Sequence, residues 1–209
     1  MDFIENYYEF LDNNIKTAIS PENLMEIINF KNREIYVNGE INDEIAQKVI
    51  QKIQFYNTVD DNKYNSKNRQ PIKLYINSDG GEIDAGFSII DTIFLSKTPV
   101  YTINYGRAYS CGLYIFAVGN KRYAYPNSTF MLHKGSIIMG EKDAQKFWDY
   151  ANFYETQLNA TRALIMKYTG ITSTMFDKHK DNDWYITADE AKLLDIVDKV
   201  IINSKELED

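Results

Sequence analysis

The sequence carries one cysteine, two histidines and four prolines among 209 residues, and each scarcity removes a class of explanation. A lone thiol cannot close an internal disulfide, so the fold must be held by its core; such cysteine usage fits a reducing cytoplasm. Cys111, His133 and His179 are too few and too widely spaced for a metal-ligand set, and neither a dinucleotide fingerprint nor a P-loop occurs. No metal and no organic cofactor are expected. A basic surplus is also missing: 23 Lys and Arg stand against 30 Asp and Glu, for a formal net charge of -7 and a pI near 5.0. With no excess of positive charge to neutralise phosphates, nucleic acid is not an expected partner. No apolar run reaches the length that spans a bilayer, and Met1-Asp2-Phe3-Ile4-Glu5-Asn6 lacks the basic start and apolar stretch of a secretory leader. The expectation is a cytoplasmic protein without membrane contact.

What is present is an ordinary globular composition, 44% hydrophobic and 25% charged, long enough for one substantial core. Residues 1–32 mix Tyr, Phe, Leu and Ile with acids and Asn, and Ser20-Pro21 is a cap followed by proline at a first helical position. We expect a helical N-terminal segment there and a single domain over 33–209. Glu34 to Gly39 has strand character, and Asp43 to Phe55 has helical spacing; the polar stretch from Asn57 to Gln70 is expected to be an exposed loop. Further strands are expected at Ile72–Ile76, ending in a Ser78-Asp79-Gly80-Gly81 turn, and at Val100–Asn104, Arg122–Tyr125, Thr129–Leu132 and Ile196–Ile202. Helices follow the Gly-Gly turn, run from Cys111 to Val118 and from about Glu141 to Tyr168, and restart near Ala188 behind the capping-box spacing Thr187 to Glu190. Glycine at Gly170 suits a left-handed cap for the long helix. Strand alternating with helix implies an α/β fold with a largely parallel sheet.

Three short stretches carry chemistry. Gly80-Gly81 follows a strand and offers backbone amides with no Cβ in the way. Ser110 sits between a strand and a helix in Gly106-Arg107-Ala108-Tyr109-Ser110-Cys111-Gly112, where free amides and the helix dipole favour developing negative charge. It is either a helix cap or a nucleophile. His133 ends an apolar strand and is either a core histidine or a base; His179, in the polar run Asp177-Lys178-His179-Lys180-Asp181, is expected at the solvated surface. Acids able to orient an imidazole cluster in 181–188, with Asp181 and Asp183 as rivals.

In order, these motifs resemble the ClpP family of serine peptidases, the proteolytic subunits of Clp proteases, from about Arg33 to Ile202. They are Asn77-Ser78-Asp79-Gly80-Gly81, Gly106 to Gly112, Pro126-Asn127-Ser128 with His133 beyond it, and Glu190-Ala191 followed by Ile196-Val197-Asp198. The resemblance implies the ClpP/crotonase fold of strand-helix units with a long protruding handle helix. It implies Ser110 as nucleophile, His133 as base, Asp183 as the orienting acid, and the amides of Gly81 and Cys111 as the oxyanion hole. It also implies stacked heptameric rings, an AAA+ Clp unfoldase as partner, and unfolded polypeptides as substrate.

The chain departs from the family in three places. Cys111 stands where the family usually has Met, and as a thiol at a helix N-terminus it is a competing nucleophile. The segment Lys134–Gly140 lacks the usual proline and is a residue shorter. The first 30 residues differ from the usual N-terminus, which leaves a phage head-maturation peptidase as one alternative reading; a crotonase-like acyl-CoA enzyme is another.

Overall fold

A computed structural model describes residues 20–63, 68–135, 143–203 and 206. Ser20 and Pro21 start the first helix as their order requires. The Ser20 hydroxyl accepts from the Asn23 amide at 3.3 Å, and Pro21 occupies a position with no N–H to lose. This helix, α1 (Pro21–Lys31), leads into strand β1 (Glu34–Ile41) and helix α2 (Asp43–Lys63). Then come β2 (Ile72–Gly81), α3 (Ile83–Leu95), β3 (Val100–Tyr109), α4 (Cys111–Ala117), β4 (Lys121–Ala124) and β5 (Thr129–Leu132). The chain ends through α5 (Ala144–Tyr168), α6 (Ser173–His179), β6 (Trp184–Thr187), α7 (Ala188–Leu193) and β7 (Lys199–Val200). The Thr187 and Glu190 side chains make both bonds of the capping box in front of α7.

Strands β1, β2, β3, β4 and β7 lie side by side in that order, all parallel. The sheet forks at β3. Its first half pairs with β4 (Tyr101 to Asn104 against Lys121 to Ala124), while its second half, Arg107 to Tyr109, pairs with Thr129 to Met131 of β5. β6 then adds antiparallel to β5. The fork sets the C-terminal end of β3 between the Gly-Gly end of β2 and the end of β5.

One sheet face packs against α2, α3 and α4 in the main core, which includes Leu74, Ile76, Ile53, Tyr56, Ile89, Ile90 and Leu113. Alternation sends Tyr75 to the opposite face, where it joins Ile103, Tyr123 and Ile201. Tyr36 stacks on Tyr75 there, with ring centroids 4.8 Å apart, and Tyr36 and Tyr125 stay more than a third exposed.

The expected α/β class and parallel sheet are present, but several local expectations need correction. The polar stretch after Asn57 is loop only in part: α2 continues to Lys63, residues 64–67 lie outside the described residues, and residues 68–70 are irregular. The last turns stay helical because Asn57 and Asp60, on the inner side, find partners remote in the chain. Asp60 is fully buried and accepts from Arg33 Nη1 and Nη2 at 2.9 and 2.6 Å and from Thr98 Oγ1 at 2.7 Å. Asn57 Oδ1 receives the Lys97 and Thr98 amides at 2.8 and 3.1 Å. Ser78 to Gly81 is the bulged end of β2, paired with Glu40 and Ile41, and not a turn. Gly170 takes no left-handed cap: α5 ends on Thr169 in extended backbone, and Gly170 lies close under the Leu194 carbonyl. The last strand is confined to Lys199 and Val200. Helix α6 and strand β6 form in a stretch where polar composition hid them, and Glu141 and Lys142 of the expected long helix lie outside the described residues. Among the described residues no helix is long and apolar enough to cross a membrane.

Candidate active site

Ser110 occupies the corner between β3 and α4 with φ 50° and ψ -118°, a positive φ that a non-glycine residue adopts only under constraint. Neighbouring backbone supplies the constraint. The Ser110 amide donates to the Met131 carbonyl at 2.8 Å, and its own carbonyl receives the Leu113 and Tyr114 amides at 3.0 and 3.3 Å. At this corner the side chain makes no capping bond to α4. Instead the hydroxyl lies 2.7 Å from His133 Nε2. Of the two readings open for Ser110, the cap is therefore absent and the contact with an imidazole is present.

His133 follows the last residue of β5, and its side chain is a quarter exposed. The β5–β6 ladder pairs Leu132 with Trp184, so one step further it sets His133 opposite Asp183. Their nearest atoms, His133 Nδ1 and Asp183 Oδ1, are 3.9 Å apart, close enough for charge attraction but too far for a hydrogen bond. Asp183 is half exposed, and its other oxygen receives the Tyr185 hydroxyl at 3.4 Å. Asp181 lies exposed in the turn before β6, and register does not bring it opposite His133. His179 is not simply solvated: its ring stacks on Trp184 at 4.2 Å and 10°.

The two glycines of β2 do different things. A Cβ on Gly80 would lie 2.8 Å from Ser110 Cβ and 2.9 Å from the Tyr109 carbonyl oxygen, so the serine corner sits where only glycine leaves room. A Cβ on Gly81 would run into the backbone of Ile41 on β1. The Gly80 amide is already committed to the buried Ser78 hydroxyl at 3.0 Å. Cys111 opens α4, so its amide has no acceptor within the helix. Its thiol faces inward, 3.6 Å from the Glu82 carbonyl and against Gly86; burial pushes the thiol pKa up to about 12. The competing reading of Cys111 as an activated thiol therefore loses its support, because burial disfavours the thiolate.

Beside His133 opens a cavity of about 270 Å³ between β5, α5 and α6, with Leu132, Leu158, Tyr114 and Phe176 as apolar walls and Glu155 and His179 also on its lining. Sequence reasoning missed this cavity, since α6 was not foreseen. It also missed Tyr185, because β6 was not foreseen and with it the alternation that sets Tyr185 on the same side as Asp183. Among the described residues, no cluster of His, Cys, Asp and Glu could hold a metal ion.

A hydroxyl on a strained corner, an imidazole in contact with it and a helix start beside it form a site chemically suited to acyl transfer within an α/β fold. Comparison with known proteins gives the class: residues 22–204 match the Clp protease family, and the chain belongs to it. It is 33% identical over 173 residues to the ATP-dependent Clp protease proteolytic subunit 2 of Corynebacterium efficiens, an alignment covering 82% of this chain and 83% of that protein.

Proposed function

We propose that the chain is the proteolytic subunit of a Clp-type protease, a serine endopeptidase that cuts unfolded polypeptides inside an oligomeric chamber in the cytoplasm. The observation that carries this reading is the 2.7 Å contact between Ser110 Oγ and His133 Nε2 at a corner whose serine caps nothing. In the proposed reaction Ser110 Oγ attacks the peptide carbonyl while His133 Nε2 takes the hydroxyl proton. The amides of Gly81 and Cys111 stabilise the resulting oxyanion. Commitment of the Gly80 amide to Ser78 favours the second glycine as donor.

His133 returns its proton to the leaving amine, which departs as the new N-terminus, and an acyl ester remains on Ser110. Water, deprotonated by His133, then attacks the ester, and the acid product leaves with Ser110 restored. Asp183 faces Nδ1 and holds the tautomer that leaves Nε2 free to accept; contacts of this kind are often long before substrate binds and tighten in the complex. The cavity beside His133 accepts the side chain preceding the cleaved bond.

No cofactor enters this scheme, so ATP use belongs to a partner of the AAA+ unfoldase class. Stacked heptameric rings are the assembly we propose, and the exposed aromatic half of α5 supports an interface there. Treatment with a serine-reactive phosphonate followed by peptide mapping tests the reading. The adduct is expected on Ser110 alone. An unlabelled protein, or one labelled elsewhere, would exclude this chemistry and leave an acyl-CoA enzyme or an inactive ring subunit in its place.

A further inference from the structure

We infer that Tyr185 is a positioning residue for Asp183, which its hydroxyl holds with one carboxylate oxygen turned toward His133; this rests on the proposed role of Asp183. Asp183 and Tyr185 are separated by two positions along the chain entering β6 and therefore project from the same face. The Tyr185 hydroxyl donates to Asp183 Oδ2 at 3.4 Å, whereas Oδ1 is the oxygen that faces His133 Nδ1, 3.9 Å away. One oxygen is thereby tied and the other left to the imidazole. Asp183 is half exposed, so without a tie its carboxylate would rotate freely in solvent.

Tyr185 is itself anchored to the element that carries the serine. Its ring meets Tyr109, the residue before Ser110, edge to face at 5.6 Å and 81°, and the Tyr109 hydroxyl is bonded to Thr129 on β5 at 2.8 Å. Tyr185 is also the register partner of Met131, whose carbonyl receives the Ser110 amide. The acid and the nucleophile come from segments more than 70 residues apart, and this side chain touches both ends. Desolvation, and after it the negative charge of Asp183, push the phenol pKa upward, so the hydroxyl stays protonated and able to donate.

Tyr185→Phe keeps the ring against Tyr109 and removes only the hydroxyl, so it separates positioning from packing. The expected result is a kcat for a short fluorogenic peptide lower by about threefold, the scale of one long, solvent-exposed hydrogen bond, with KM and the unfolding midpoint unchanged. In an Asp183→Asn background, the rate constant for phosphonate labelling of Ser110 should no longer respond to Tyr185→Phe. An equal effect in both backgrounds, a KM change at constant kcat, or no effect of Tyr185→Phe beside a large loss in Asp183→Asn would overturn the inference and leave the proposed function standing. If Asp183→Asn alone is harmless, the inference falls together with the assignment of Asp183.

Discussion

Ser110 Oγ and His133 Nε2 meet at 2.7 Å because β3 and β5 run parallel and in register from Arg107–Thr129 to Tyr109–Met131, ending side by side. The fork of the sheet at β3 makes this possible. Were β4 to continue along the whole of β3, no strand end carrying an imidazole would reach the serine corner. The contact is a consequence of topology before it is one of chemistry.

The first prediction separates two adjacent side chains. Ser110→Ala should abolish peptide hydrolysis and phosphonate labelling while leaving the circular dichroism spectrum unchanged, since Ala is smaller than Ser and the native side chain makes no cap here. Cys111→Ser should retain activity, because the proposed mechanism uses only its backbone amide. In the native protein at pH 8 the Cys111 thiol, 2% exposed and with its pKa pushed up to about 12, should resist alkylation that proceeds readily in denaturant. Loss of activity in Cys111→Ser with retention in Ser110→Ala would reverse the assignment.

The second prediction concerns the acid. Asp183→Asn should lower kcat by a factor approaching ~10⁴, the scale found when the acid of such a triad is replaced. Asp181→Asn, whose carboxylate is exposed and out of register with His133, should change kcat less than about twofold. Steady-state kinetics on both variants decides, and a reversed order of effects would move the acid to Asp181.

The third prediction is about stability. The Arg33–Asp60 pair is buried, with Asp60 fully enclosed, and it ties the start of β1 to the last turns of α2. Asp60→Ala strands the Arg33 guanidinium and should cost about 3–5 kcal/mol. Unfolding in urea, followed by tryptophan fluorescence, should show the shift. Removing the exposed Glu44–Lys48 pair, which is well solvated on α2, should leave the midpoint in place.

The same pair explains where the sequence was hard to read. Ser20-Pro21 and Thr187-Glu190 announce their helices through local bonds, so both starts were visible from residue type and spacing. Ser110 and His133, which the structure brings into contact, were legible as candidates because each sits in a motif a few residues long; between Asp181 and Asp183 only the family resemblance chose. Asn57 to Lys63 was not legible: a run of Asn and Asp has poor helix propensity, and the partners that hold it helical, Arg33 and Thr98, are remote in the chain. Likewise the direction of the Cys111 thiol depends on Gly86 leaving a space for sulfur, and the stacking of His179 depends on β6 bringing Trp184 alongside. Contacts made by tertiary structure leave no local mark.

The last prediction is about assembly, and α5 supplies the argument. Its described side chains from Gln145 to Tyr150 are exposed all round the helix, and its first buried residue is Gln157. Yet that exposed half carries Phe147 at 43%, Trp148 at 61%, Tyr150 at 41% and Phe153 at 55% exposure. A solvated helix is normally polar on its outer faces, so four large exposed aromatic side chains within two turns of it are what a face covered in the proposed assembly would carry. Packing on the chain's own core explains only the second half, where Thr161 and Ile165 are buried. The purified protein should therefore be a large homo-oligomer by light scattering, and Trp148→Glu with Phe153→Glu should shift it to smaller species with lower peptidase activity. A stable monomer with full activity would remove the chamber from the proposed function while leaving the serine chemistry intact.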